Sequence, residues 1–447
     1  MSDVCRQFSK PSRRQFLAAG AAIVGSAVAV GALGTASPPA SVPVAARVAD
    51  VTFDLWHIFA GALGTAFTGL LGEFTQANPG IKINPVYVPY AAVLQTALSA
   101  IAAGQPPAMA VTELTLMANL AAQGALTPLK ALNSASTVEN LRKSFTPSVA
   151  EANSYRGVSY TVPLGYNSNQ LYYNPDLVKQ AGLDPDQDLP KTWSELIEVA
   201  PKLTKNRTSA QQADVWGYVI PSNGPQVLEV RFWQCGAQIF NQAGTKPLFQ
   251  GGKGQAMFEK YQQLVRSKGA TYVTTDATLS QTTDLFTAGK AALFEQSSTA
   301  ILGLTSAAGF EIGVSSFPTM GHGVFSMGGY NLGIFNGAAR EQQQAANEFA
   351  RWWVQPEIAA RWTSVSNYLP GVTAAWDTST LKNWLAADPR RRVAADQLPK
   401  SRPRPNLPQY PQISVDIVNA FDHTMLGQTS ARAALDEAAA QAKESLE

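Results

Sequence analysis

Two hydrophobic periodicities alternate between residues 51 and 112, and this alternation leaves the chain few architectures. Val51, Phe53 and Leu55 repeat every second residue, as in a strand, and Leu63, Phe67, Leu70, Leu71 and Phe74 then follow helical spacing until Asn78-Pro79-Gly80 ends it. A strand is predicted over residues 81–88, an Ala-rich helix from about 91 to 103 and a short apolar strand over 108–112. The order β-α-β-α-β builds a parallel sheet with helices on both faces, and ligands of such sheets sit beyond the carboxyl ends of the strands. Residues 57–64, 87–90 and Glu113 occupy those ends.

The middle of the chain repeats the pattern with clear helix boundaries. Asn174-Pro175 reads as an N-cap followed by proline at the first helical position, Gly182 as a stop, and Thr192-Trp193-Ser194-Glu195 as a capping box after Pro190. These mark a second α/β unit. Further strands are predicted at Leu293-Phe294 and over 333–335, and an Ala-rich helix over about 430–446. Cys235 reads as a small core residue, and Gly251-Gly252-Lys253-Gly254 as a turn.

Charge excludes one class of partner. The formal net charge is +2, but residues 1–34 hold Arg6, Lys10, Arg13 and Arg14 against Asp3, so the body beyond them is close to neutral. With 15% charged residues and a body in which Lys and Arg are balanced by Asp and Glu, phosphate-backbone binding lacks its electrostatic footprint, and no nucleic-acid partner is expected. The leader itself carries Ser12-Arg13-Arg14-Gln15-Phe16-Leu17, then an uncharged apolar stretch to Gly34 and a Pro/Ser/Ala-rich spacer, which reads as a twin-arginine export signal over residues 1–49. Its removal would take Cys5 and leave Cys235 alone, so no intramolecular disulfide is expected.

Catalytic patterns are missing. The three histidines, His57, His322 and His423, are far apart in sequence, with no metal-ligand spacing around them. No nucleophile elbow, Walker loop or dinucleotide fingerprint occurs. The expectation is a non-enzymatic chain with no cofactor and no metal.

Several segments, taken in order, resemble the extracytoplasmic solute-binding proteins of ABC importers (family 1), and within them the branch for sn-glycerol 3-phosphate and glycerophosphodiesters. They are Leu55-Trp56-His57 with Gly61-Ala62-Leu63-Gly64, residues 74–83, Ala103-Gly104-Gln105-Pro106-Pro107-Ala108, Leu171-Tyr172-Tyr173-Asn174, Ala181-Gly182-Leu183-Asp184-Pro185 and Pro190-Lys191-Thr192-Trp193. Residues 286–293, Gly328-Gly329, Tyr368-Leu369-Pro370 and Pro411-Gln412-Ile413 continue the match. The resemblance implies a two-lobed α/β periplasmic-binding-protein fold (type II), each lobe a mainly parallel sheet flanked by helices, with three hinge crossings. Lobe 1 is expected at 50–165 plus 325–366 and lobe 2 at 166–324 plus 367–447, with crossings near 164–167, 319–326 and 368–372. It further implies a monomer in the periplasm or on the outer face of the cytoplasmic membrane, a small-molecule ligand in the inter-lobe cleft, and membrane permease subunits as partners.

By the same resemblance, Glu113 would bind glycerol hydroxyls, Tyr90 would supply an aromatic contact and Tyr368 a phosphate-facing phenol. Trp56, His57, Asn167, Ser168, Ser222, Ser297 and Ser298 would add polar or aromatic contacts, and Gly328 and Gly329 would offer backbone N–H groups. Two positions depart from the branch. Ser222 and Pro225 stand where it carries tryptophans, with Trp233 a substitute wall, and Asn406 aligns with its phosphate-gripping arginine while Arg402 and Arg404 lie just upstream, Arg404 being the candidate for that role. The alternatives are a neutral sugar or oligosaccharide binder of the same fold and an exported phosphodiester hydrolase. Replacing Glu113 by Ala is expected to cost affinity and leave folding unchanged.

Overall fold

The computed structural model describes residues 50–89, 92–221, 224–273 and 280–447. The expected export signal lies outside them. In chain order the strands are β1 (Val51–His57), β2 (Ile81–Tyr87), β3 (Met109–Glu113), β4 (Ser154–Tyr155), β5 (Val158–Ser159), β6 (Thr161–Asn167), β7 (Asn169–Tyr173), β8 (Trp216–Pro221), β9 (Ala270–Val273), β10 (Ala291–Ser297), β11 (Gly313–Ser315), β12 (Phe325–Ile334) and β13 (Ser401–Pro403). They form two principal sheets. The first runs β13-β12-β3-β1-β2 with β6 also on β12, and the second runs β11-β7-β10-β8-β9.

The βαβ segments build the parallel part of each sheet: β1 pairs parallel with β2 and β3, and β8 with β9 and β10. The antiparallel pairs arise where the chain passes between lobes. β12 runs against β3 and β6, and β7 against β10 and β11. Each sheet buries its own apolar core. Phe53, Leu55, Phe67, Phe349, Trp353 and Trp362 belong to the first; Trp193, Tyr218, Phe232, Phe258, Phe421 and Leu435 to the second.

Local signals hold where one side chain decides them. The Asn174 carboxamide accepts from the Asp176 and Leu177 amides at 3.0 and 3.2 Å, and the Thr192–Glu195 capping box has both of its bonds. Cys235 is half-buried beside Met320, at 3.7 Å between sulfurs, and burial pushes its thiol pKa up. The glycine cluster differs from expectation. Gly251 precedes, and Gly252 opens, the helix Gly252–Arg266, and Gly254 in its first turn packs against Phe249 and Phe232 so closely that no Cβ fits there.

The chain changes core three times. The first passage is at Ser168, between β6 and β7, and the second lies at the start of β12, where Phe325 belongs to the second core and Met327 to the first. The third differs from the sequence expectation. Tyr368, Leu369, Val372, Leu381, Trp384 and Leu398 all pack into the first core, so the chain crosses only at 401–406, the Ser-Arg-Pro-Arg-Pro string and Asn406, before Tyr410 enters the second. The indole of Trp362 stacks on Tyr368 with 4° between planes and 6.3 Å between centroids, which anchors that segment to the first lobe.

Candidate functional site

The third crossing brings a buried arginine against carboxylates from both lobes. β3 ends at Glu113, which caps the helix Leu114–Ala122: its Oε2 accepts from the Thr115 amide at 3.0 Å and from the Thr115 hydroxyl. Its other oxygen, Oε1, accepts from Arg404 Nη1 at 2.7 Å. From the second lobe, Glu229 on the helix Pro225–Gln234 accepts from Arg404 Nε at 3.0 and 2.9 Å and Nη2 at 2.8 Å, and from the Tyr410 hydroxyl at 2.6 Å. Every guanidinium nitrogen therefore faces a carboxylate. Side-chain exposure is 9% for Arg404, 12% for Glu113 and 2% for Glu229, so the cluster is shielded from water.

Electrostatics favour the charged cluster. Burial alone would lower the Arg404 pKa, but Glu229 and Glu113 outweigh it and hold the guanidinium well above its ordinary value. Burial pushes the Glu229 carboxyl up, opposed by Arg404 and Tyr410. Because both oxygens of Glu229 accept bonds and all its partners donate, the ionised form is the one this geometry holds. Sequence reading missed Glu229. The available signal was a single acid in the apolar run Val227-Leu228-Glu229-Val230, which a buried helix tolerates only with a counter-ion.

Beside this cluster the two lobes meet along β12. Gly328 pairs with Asn167 and Gly329 with Tyr166. A Cβ at Gly328 would lie 2.5 Å from Asn167 Oδ1 and 2.7 Å from Gln226 Nε2, so the missing side chain lets the first turn of the second-lobe helix close onto the strand. Tyr330 is in register with Glu113 and packs edge-on against Phe59 and Tyr368, with centroids 6.1 and 5.7 Å away. Asn167, Gly328, Gly329 and Tyr368 thus join Glu113 and Arg404 around one strand.

Other expected residues lie apart from it. Ser168 and Ser298 form a buried patch at the first crossing: the Ser298 amide donates to the Ser168 carbonyl at 2.8 Å, and the Ser168 hydroxyl donates to Gln397 at 2.6 Å. The Ser298 hydroxyl and Gln170 Nε2 are buried there without a partner among the described residues. Ser297 caps the following turn through its bond from the Thr299 amide. Trp56 faces away from the cluster, packed with Leu98, Ile101 and Met117, because strand alternation puts it on the opposite face from Leu55 and His57. Tyr90 and Ser222 lie outside the described residues.

Around the arginine, Arg402 covers the face of Trp233 at 4.7 Å, and Asn406 donates to the Ser154 carbonyl at 2.5 Å. A hollow of ≈ 300 Å³ opens here, lined by Glu151, Trp233, Gln238, Arg402, Arg404 and Asn406 among others. Larger hollows of ≈ 630 and ≈ 660 Å³ lie on the first lobe and contain none of the expected ligand residues. Among the described residues no group of His, Cys, Asp and Glu could hold a metal ion, and no helix is long and apolar enough to cross a membrane.

His57 is buried at the end of β1, its ring 5.2 Å from Phe67 and 6.1 Å from Tyr87, and Nδ1 has no partner among the described residues. Burial lowers its pKa below the ordinary 6.5. Between the folded and unfolded values the unfolded chain binds more protons, so unfolding free energy is expected to fall as pH drops below 6.5 towards the lowered folded value. A His57→Gln variant should flatten that part of a denaturation-versus-pH curve; an unchanged slope would assign it to other groups.

Comparison with known proteins agrees with this architecture. Residues 70–390 match the family described as bacterial extracellular solute-binding protein. The sn-glycerol-3-phosphate-binding periplasmic protein UgpB of Yersinia pseudotuberculosis is 28% identical over 415 residues, 88% of this chain and 91% of the relative. UgpB of Salmonella typhimurium is 27% identical over 414 residues, with the same shares. Among solved structures, UgpB of Mycobacterium tuberculosis in complex with glycerophosphocholine superposes with a TM-score of 0.76 at 22% identity, covering 89% of this chain and 98% of that one. The cyclic alpha-maltosyl-1,6-maltose binding protein of Arthrobacter globiformis gives 0.76 at 20% identity, covering 89% and 99%. With two separately cored α/β lobes joined by three passages of the chain, and a family match spanning most of its length, this chain belongs to the bacterial extracellular solute-binding proteins.

Proposed function

We propose that the chain is the substrate-binding component of an ABC importer, capturing sn-glycerol 3-phosphate or a glycerophosphodiester between its lobes and delivering it to a pair of membrane permease subunits. The observation that carries this reading is the buried Arg404 at the third crossing, which reaches an acid from each lobe. A cation held at a hinge between two packed halves is placed to sense a phosphate-bearing ligand as the halves close. The names of the UgpB relatives support the ligand class. Export by the twin-arginine route, residence in the periplasm or on the outer face of the membrane, and a monomeric state complete the proposal.

A neutral sugar is the second reading, favoured by the occupation of every Arg404 nitrogen and by the absence of tryptophan at Ser222 and Pro225. Calorimetric titration of the purified protein with sn-glycerol 3-phosphate, glycerophosphocholine, maltose and trehalose separates the two. Binding of a phosphate compound is expected, and binding of sugars alone would overturn the leading reading. Replacing Glu113 by Ala is expected to weaken binding by about 1.5 kcal/mol or more. The variant is also expected to lose stability, contrary to the sequence expectation, because Glu113 caps a helix and faces a buried guanidinium.

A further inference from the structure

The charge of the cluster argues for a narrower ligand class. Two carboxylates, Glu113 and Glu229, surround one guanidinium, so the group carries an excess negative charge in a site shielded from water. Of the cluster, Arg404 lines the adjoining hollow with the two acids behind it, and the hollow's remaining charged side chains, Glu151 and Arg402, cancel one another, Arg402 being engaged with Trp233. Glu229 also fixes orientation: by taking Nε and Nη2 it turns the guanidinium so that Nη1 faces Glu113. Nη1 and Nη2 each keep one N–H beyond their bonds to Glu113 and Glu229, so an incoming phosphate meets the guanidinium beside both carboxylates, and a dianion there is repelled by the pair.

Resting on the reading of this cleft as a site for phosphate compounds, we propose that Glu229 is a specificity-determining residue which, with Glu113, selects zwitterionic phosphodiesters over phosphomonoester dianions. A diester carries one negative charge on phosphate, and a cationic headgroup on the same molecule compensates it. The headgroup charge then meets the surplus of carboxylate, and the phosphate requires only one guanidinium edge.

The test compares glycerophosphocholine, sn-glycerol 3-phosphate and maltose by calorimetry on the full chain and on Glu229→Gln and Glu113→Gln, whose side chains keep the shape and remove the charge. The diester is expected to bind at least about ten-fold tighter than the monoester, and this ratio is expected to shrink by about ten-fold in each variant. A purely structural role for Glu229 would weaken both ligands alike and leave the ratio in place. Equal or tighter binding of the monoester by the unaltered chain overturns the selectivity while leaving the phosphate-compound reading intact, and an unmoved ratio in both variants overturns the role of the acids. If neither phosphate compound binds, whether or not maltose does, the functional reading itself fails and the selectivity falls with it. Should Glu229→Gln not fold, Glu113→Gln decides the outcome.

Discussion

Replacing Arg404 by Ala is expected to lower the unfolding free energy by about 3–5 kcal/mol, because removing one member of a buried ionic cluster leaves the others unpaired in a poorly solvated site. Glu229 would lose all three of its guanidinium contacts and keep only the Tyr410 hydroxyl, and Glu113 would keep only the Thr115 donors. The loss also spans the lobes, since Arg404 is the group that touches an acid from each. Denaturant titration followed by tryptophan fluorescence measures it. Arg404→Lys is expected to recover only part of the loss, because a point-like ammonium cannot satisfy the forked contact with Glu229. A change below about 1 kcal/mol in the Ala variant would mean that water enters and solvates the cluster in spite of its low exposure.

The second large effect is expected at Gly329. Its φ is +133°, a backbone conformation open to glycine and strained for other residues, and it sits in the register of β12 with β6. A Cβ there would collide with the Gly165 carbonyl oxygen and approach Tyr166 Cα at 2.7 Å, both of them main-chain atoms that move only with their strand. Gly329→Ala is therefore expected to cost about 2–5 kcal/mol, combining strained backbone with overpacking. Gly328→Ala, one residue away, meets only the ends of the Gln226 and Asn167 side chains and is expected to cost about 1 kcal/mol or less, since those ends can rotate away. Paired thermal melts test the contrast. Similar melting temperatures for the two variants would show that β12 and β6 separate easily at the hinge.

Much of the fold was legible in the sequence. The β-α-β-α-β reading of residues 51–112, the Asn174 cap, the Thr192 capping box and the final Ala-rich helix each depend on side chains a few residues apart, and each is present. The third crossing was expected at 368–372 from the family resemblance, and the Gly and Pro there suit a hinge, yet Tyr368 stacks on Trp362 and stays with the first lobe. Turn chemistry signals a bend and says nothing about which core the chain enters next. In the site, Asn167 beside Gly328 follows from strand register, while the Arg404–Glu229 contact joins residues 175 positions apart and has no local signature.

Sequence alone determined the class of structure: period-two and helical spacing select strands and helices, and their order selects a layered α/β body, because those patterns act through neighbours along the chain. Tertiary structure alone decided the chemistry at the hinge. Glu113, Glu229 and Arg404 come from three distant segments, and burial makes their charges dependent on one another, so whether the arginine serves the fold, the ligand or both is set by where three separate backbones converge.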